Sequence, residues 1–271
     1  MAYFMEEMTV QDMKQAMEKT KTVIIPVGVV EQHGYHLPLS TDIHNAVQLT
    51  RKAGDRLNAV VAPSVNYCFS GGTLLGTVNV SPNTFGLLIS EICAEFVRMG
   101  FKNVVVLLGH GGTDNRAALK NTMQMLLRRD AELAKKVTLS LIECWDLSPT
   151  WTAGFQMRPE ADFHAGMIET SVMMYWKPEL VRDTIVMDDD YIAQMMRTDQ
   201  DWFEKREKSI DHPFIIETVG PKEEIEVGVM GFPERASRDL GKKVCDEMIE
   251  NLVKYIDLLE EKVNSGISNN E

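Results

Sequence analysis

Short, continuous apolar runs alternate along the chain with longer stretches whose apolar positions recur every three or four residues. Thr22–Val29 reads as a strand. Ile43–Leu57 sets Ile43, Ala46, Val47 and Ala53 near one face and reads as a helix. Ala59–Ala62 predicts a second strand. Ser81-Pro82 has the form of a cap and first helical residue, and Gly100 that of a stop. Between them Phe85, Leu88, Ile89, Ile92 and Phe96 make an apolar stripe. Asn103–Leu108 (NVVVLL) is unbroken, as expected of a strand covered on both faces of a parallel sheet. A helix from Asn115 to Arg129 and a strand at Val137–Ile142 follow. Ala165–Trp176 predicts a short helix that stops before Pro178, and Arg235–Val263 a long amphipathic one.

The intervening segments are less regular. Ser70–Asn79 is a glycine-rich loop, and Asp146–Phe163 reads as a long loop broken by Pro149, Gly154 and Pro159. Arg182–Pro221 is polar and irregular, an excursion or an oligomer contact. Ile225–Met230 predicts an outer strand. Residues 1–264 are expected to form a single domain, and 265–271 a disordered tail. Alternating β and α units imply a parallel sheet covered by helices, with ligands at the C-terminal ends of the strands.

Composition narrows the partners. A formal charge of −12 argues against nucleic acid and anionic membranes and leaves a small molecule as the natural ligand. No apolar run is long enough to span a bilayer, and the acidic N-terminus lacks the pattern of a signal peptide. Cys68, Cys93, Cys144 and Cys245 form no CxxC pair and read as reduced thiols in a cytoplasm. The 17 methionines read as core filler.

The chemistry concentrates at predicted strand ends. Pro26–Asp42 carries Glu31, His33, His36 and Asp42 directly after a strand, with His44 just beyond. Glu31 and His33 alternate by two, so in extended backbone they point the same way. Asp42 stands just before a helix, either as a cap or, beside these neighbours, as a ligand. His110 lies in a Gly-His-Gly-Gly turn after NVVVLL. His164 precedes the short helix that contains Glu169, a carboxylate that would need a cation or metal if buried. Mixed imidazole and carboxylate donors suit Zn, Mn or Fe, and one carboxylate can bridge two ions. The spacing does not count the ions.

Taken together, these segments resemble the creatininase (creatinine amidohydrolase) family. The matching pieces are Pro26-Val27-Gly28, Glu31-Gln32-His33-Gly34, His36-Leu37-Pro38 and Thr41-Asp42. Gly109-His110-Gly111-Gly112, His164-Ala165-Gly166 with Glu169-Thr170-Ser171, and Gly228-Val229-Met230-Gly231 with Pro233 and Ala236-Ser237 complete the set. The resemblance implies a three-layer αβα sandwich with a mostly parallel central sheet, two divalent metal ions, and a metal-activated water that attacks a cyclic amide or related carbonyl. It implies Glu31 and His110 on one metal, His33 on the other, Asp42 bridging both, and His164 as proton shuttle. It also implies a cytoplasmic homo-oligomer, often a hexamer.

This chain departs from the creatinine-hydrolysing members at the substrate wall. Those carry Tyr-Glu after the strand-end histidine, where Gly111-Gly112 stand here, which makes Glu169 the candidate for the remaining ligand and for a catalytic role. Their Trp four residues before the shuttle is Glu160 here. A loop that reads His followed by Phe-Pro-Gly-Thr in many relatives is Ser70–Thr77 here. His36, Ser70, Thr73, Gly111 and Glu160 are therefore the expected substrate wall, and creatinine itself is not the expected substrate. The leading reading is a hydrolase opening a C–N bond in a small cyclic amide. Glu160, Ser70 and Thr73 also suit a polyhydroxylated ring such as a keto-inositol. A non-catalytic metal-binding oligomeric scaffold is the reading from a different class.

Overall fold

A computed structural model describes residues 2–157 and 160–265. Its centre is a five-stranded sheet of β1 (Tyr3–Phe4), β2 (Thr22–Val27), β3 (Val60–Val61), β4 (Asn103–Leu108) and β5 (Thr138–Glu143), in the order β1-β3-β2-β4-β5. Every pairing is parallel, and β2 and β4 run in register from Thr22 opposite Asn103 to Val27 opposite Leu108. Alternate residues of each strand enter opposite cores, which is why β2 after Thr22 and β4 after Asn103 are apolar. Ile24, Val105, Leu107 and Ile142 pack on α2 (Thr41–Ala53), α7 (Met167–Trp176) and α9 (Arg238–Asn264). Val23, Ile25, Val104 and Val106 pack on α1 (Val10–Lys19), α3 (Pro82–Met99) and α4 (Thr113–Arg129). The result is the expected three-layer αβα arrangement.

Local signals explain most element ends. Ser81 Oγ accepts the Thr84 N–H at the start of α3, and Gly100 takes φ 109° at its end. Thr9 and Asp12 form a reciprocal capping box on α1, a helix not expected from the pattern although Thr9-x-x-Asp12 is its signature. Two short helices also lay outside the expectations: α5 (Ala131–Lys136), capped by Asp130, and α6 (Pro149–Phe155), capped by Ser148. Asp146–Phe163 is thus not one long loop. Pro149 occupies the first helical turn, where proline's missing N–H has no partner to lose.

The polar excursion is also ordered. It contains α8 (Asp190–Thr198), started by Asp189, and an antiparallel hairpin of β6 (Glu204–Glu207) and β7 (Thr218–Pro221). Ile225–Met230 is not a strand. Asp188 claims its amides instead, accepting from Glu226 N (2.7 Å), Val227 N (2.9 Å) and Gly228 N (2.6 Å). Val227 and Val229 are buried, which is the apolar signal that suggested a strand. Ser265 caps α9, and the rest of the expected disordered tail lies outside the described residues. Among the described residues no helix is long and apolar enough to cross a membrane.

Candidate metal centre and substrate cavity

Four chain segments meet at the C-terminal ends of β2 and β4. The segment after β2 brings Glu31 and His33, the first turn of α2 brings Asp42, the turn after β4 brings His110, and the entry to α7 brings His164 and Glu169. Asp42 is inside the helix rather than ahead of it, and its carboxylate turns to the histidines rather than to a cap. The approach of α2 depends on Gly109, since a Cβ there would lie 2.0 Å from the Asp42 carbonyl oxygen. Ala165 has φ 52°, left-handed for a residue with a Cβ. Such a conformation costs about 1–2 kcal/mol and persists where surroundings over-determine it.

Asp42 is the hinge of the cluster. Its Oδ1 lies 3.2 Å from His33 Nε2, and its Oδ2 lies 2.9 Å from His110 Nδ1. His110 Nδ1 is also 3.2 Å from Glu31 Oε2, and His33 Nε2 is 3.8 Å from Glu169 Oε2. Glu31, Asp42 and His110 therefore offer three donor atoms within 4.8 Å of one another, and so do His33, Asp42 and Glu169. Asp42 is common to both groups. A third group, Glu31, His33 and His164, overlaps them.

The charge balance is unusual for a protein interior. Glu31, Asp42 and Glu169 are all buried, and among the described residues no Lys or Arg pairs with any of them. Burial alone raises a carboxyl pKa. For Asp42 the adjacent His33 and His110 outweigh burial and hold it well below the usual range. Glu31 is likewise lowered, by His110 and His164 against burial. For Glu169 burial prevails and lifts it to about 7. Burial pulls His33 down, but Asp42, Glu169 and Glu31 lift it to about 10, and Glu31 and Asp42 raise His110 well above 6.5. Among the described residues, protons on the His33 and His110 rings supply the counter-charge beside these carboxylates.

The donor set fits divalent cations. Glu31 Oε2 and His33 Nε2 are buried and lack an aligned hydrogen bond, and His110 turns Nδ1 toward both Asp42 and Glu31. His33 Nδ1 faces the Glu31 carbonyl at 3.2 Å, an acceptor only, so one ring proton stays on Nδ1, and Nε2 becomes the lone-pair donor once a cation displaces the second proton. Ser70 Oγ donates to Glu31 Oε1 and fixes that carboxylate from behind.

His164 stands apart from these rings in protonation. Its ring lies 4.2 Å from that of His33, centroid to centroid. Nε2 donates to the Gln32 carbonyl at 2.9 Å, which leaves Nδ1 as the basic nitrogen. Burial, with His33 adding to it, lowers its pKa to about 4.

Beyond the cluster a cavity of about 670 Å³ opens. Glu31, Asp42, His110, His164 and Glu169 all face it, as do Ser70, Thr73 and Gly111 of the expected substrate wall. His36 and Glu160 do not line it. His36 is buried behind the cluster, and Glu160 is exposed and paired with Arg235 at 2.9 Å. The position of Glu160 in the sequence suggested a substrate contact, but its backbone carries it outward.

The wall also holds residues not expected from the sequence. Trp145, Phe155 and Phe163 form a chain of aromatic contacts, 6.1 Å edge-on and 5.8 Å stacked. Glu143, buried at the end of β5, bonds the Trp145 side chain and pairs with Arg116 at 3.0 Å. The indole covers Gly111, where a Cβ would lie 2.8 Å from Trp145 Cη2. Phe203, Lys222 and Ile225 come from the hairpin region and close the far side. None of these carries a local motif; only the glycine pair after His110 signalled that space had been made.

Comparison with known proteins finds relatives along most of the chain. A family model described as creatininase, creatinine amidohydrolase, matches residues 6–256. A mycofactocin precursor peptide peptidase of Mycolicibacterium smegmatis is 28% identical over 256 residues, covering 90% of this chain and 87% of the relative. A creatinine amidohydrolase of Pseudomonas putida is 24% identical over 256 residues, covering 86% and 88%. A solved manganese form of creatininase superposes with a TM-score of 0.75 at 20% identity, covering 96% of this chain and 99% of that one, and shares the fold.

Proposed function

The chain belongs to the creatininase family of hydrolases, and on that premise we propose that it binds two divalent ions and hydrolyses a C–N bond in a small cyclic amide-like substrate. The observation that carries the proposal is Asp42, whose two oxygens face two separate three-donor groups. In this reading Glu31 and His110 would hold one ion and His33 and Glu169 the other, with Asp42 available to both. Zn, Mn and Fe all match the donors. Ions held there lower the pKa of water and polarise a carbonyl oxygen.

The protein's own groups do the remaining work. His164, neutral at pH 7 and anchored through Nε2 to Gln32, takes a proton on Nδ1 and delivers it to the leaving nitrogen. Ser70 holds Glu31 in place, and Trp145, Phe155 and Phe163 shield the site from bulk water. A scaffold without catalysis has no use for a neutral histidine facing a cavity beside such a cluster.

The cavity favours a second reading within the same chemistry. Its volume and aromatic wall suit an amide larger than one five-membered ring, such as a peptide bond. The keto-inositol reading loses two of its three supports, because Glu160 lies outside the wall and the Ser70 hydroxyl serves Glu31. By the same family resemblance we propose a cytoplasmic homo-oligomer, with a hexamer expected in sedimentation.

Metal analysis of the untagged protein, followed by turnover of lactams, short peptides and keto-cyclitols, tests the proposal. Two equivalents of divalent metal and amide turnover are expected. A protein that takes up no divalent ion, or that turns over keto-cyclitols alone, overturns it.

A further inference from the structure

His36 has no place in the metal shell or the cavity wall, yet it is 1% exposed and beside both. Its Nε2 lies 3.1 Å from the Ala165 carbonyl oxygen and 3.0 Å from Thr170 Oγ1. A carbonyl oxygen only accepts, so the ring proton is on Nε2 and His36 donates. Its Nδ1 is buried and without a hydrogen-bond partner. The useful end of this side chain is therefore Nε2 alone.

Ala165 receives that bond in an uncommon conformation. Its φ of 52° turns its N–H toward Glu169 Oε2, at 2.7 Å, while its carbonyl faces His36. The same Glu169 oxygen lies 3.8 Å from His33 Nε2. A continuous path runs from His36 through the backbone of Ala165 to the carboxylate oxygen beside His33. Relaxed to a right-handed conformation, Ala165 would withdraw its N–H, and Glu169 would lose the bond that aims it.

We infer that His36 is a positioning residue: by holding Ala165 in its left-handed conformation it aims Glu169 at the ion shared with His33 and Asp42, and leaves the Glu31–His110 ion untouched. This inference rests on the two-ion reading above. It separates two ions that otherwise sit in one cluster, because only one of the donor groups contains Glu169. Groups that orient ligands from behind typically change metal affinity by about 10–100-fold when lost.

The side-chain geometry supplies the test. In His36→Gln the amide nitrogen reaches the place of Nε2 and the bond to Ala165 is kept. In His36→Asn the amide reaches only the place of Nδ1, where no partner waits. Apo protein is titrated with Co2+, following uptake by the d–d absorption, with circular dichroism confirming the fold of each variant. Wild type and His36→Gln are expected to take two equivalents at similar affinities. His36→Asn is expected to keep one equivalent unchanged and to bind the second about 10–100-fold more weakly. If His36→Asn binds both ions as wild type does, or loses both together, the role of His36 is wrong. If wild type itself takes only one equivalent, the two-ion reading is what fails.

Discussion

Replacing Asp42 with Asn keeps its size and removes its charge. The two oxygens stand 3.2 and 2.9 Å from His33 and His110, so a neutral amide there strips one anionic donor from both groups at once. Unit charges about 4 Å apart interact by about 4 kcal/mol at an effective dielectric of about 20. A divalent ion doubles the attraction, and desolvation returns part of it. Retaining about 4 kcal/mol per ion, at about 1.4 kcal/mol per tenfold, gives roughly a thousandfold loss of affinity at each site. Glu31→Gln and Glu169→Gln each touch one of the two Asp42 groups and serve as internal comparisons. Equilibrium dialysis against a chelator-buffered Zn2+ series, with metal counted by mass spectrometry, reads the result. Asp42→Asn is expected to weaken both equivalents, and each glutamate variant mainly one. Retention of one full-affinity equivalent in Asp42→Asn would falsify the shared position of this carboxylate.

Three further outcomes follow from the geometry. His164→Gln is expected to keep both ions and to lose about 10²–10⁴-fold in kcat; undiminished turnover by a fully loaded variant removes the proton-transfer role. Gly111→Ala sets a methyl 2.8 Å from Trp145 Cη2 and is expected to displace the indole, changing KM and tryptophan fluorescence while metal content stays constant; a silent substitution means that the indole is not fixed there. In the metal-free protein His33 keeps its proton up to about pH 10, and His110 is raised in the same direction. Because the folded apo state binds these protons more tightly than free imidazole, metal uptake at pH 7 must expel them, so apparent affinity rises with pH below that range. Calorimetry in buffers of different ionisation enthalpy is expected to show release of about two protons per loaded molecule, and no release contradicts the protonation of these rings.

The central sheet and most of its covering helices are legible in the sequence because their signals are local. NVVVLL is apolar on both faces, Ser81 and Gly100 bracket α3, and the alternation of short and long periods forces a parallel order. The donors after β2 and β4 are legible for a related reason. Strand ends of a parallel sheet share one edge, so Glu31, His33 and His110 had to meet once the strands were placed. Where the reading failed, a local signal was borrowed for another purpose. Val227 and Val229 are apolar because they are buried, but Asp188, some 40 residues earlier in the chain, takes the amides that a strand would have paired. Pro149 looked like a breaker and begins a helix.

The sequence by itself determined which residue types were available for metal chemistry and at which edge of the sheet they would gather. Tertiary structure alone decided how they face one another. Asp42 meets two histidines because Gly109 lets α2 close on the strand ends, and Glu160 turns away to Arg235 although its position in the sequence suggested the wall. His36 reaches Ala165, 129 residues along the chain, and Trp145 fills the space over Gly111. Periodicity and capping act over a few residues. The direction of a loop side chain and the lining of a cavity depend on contacts between segments tens to more than a hundred residues apart, which no local pattern records.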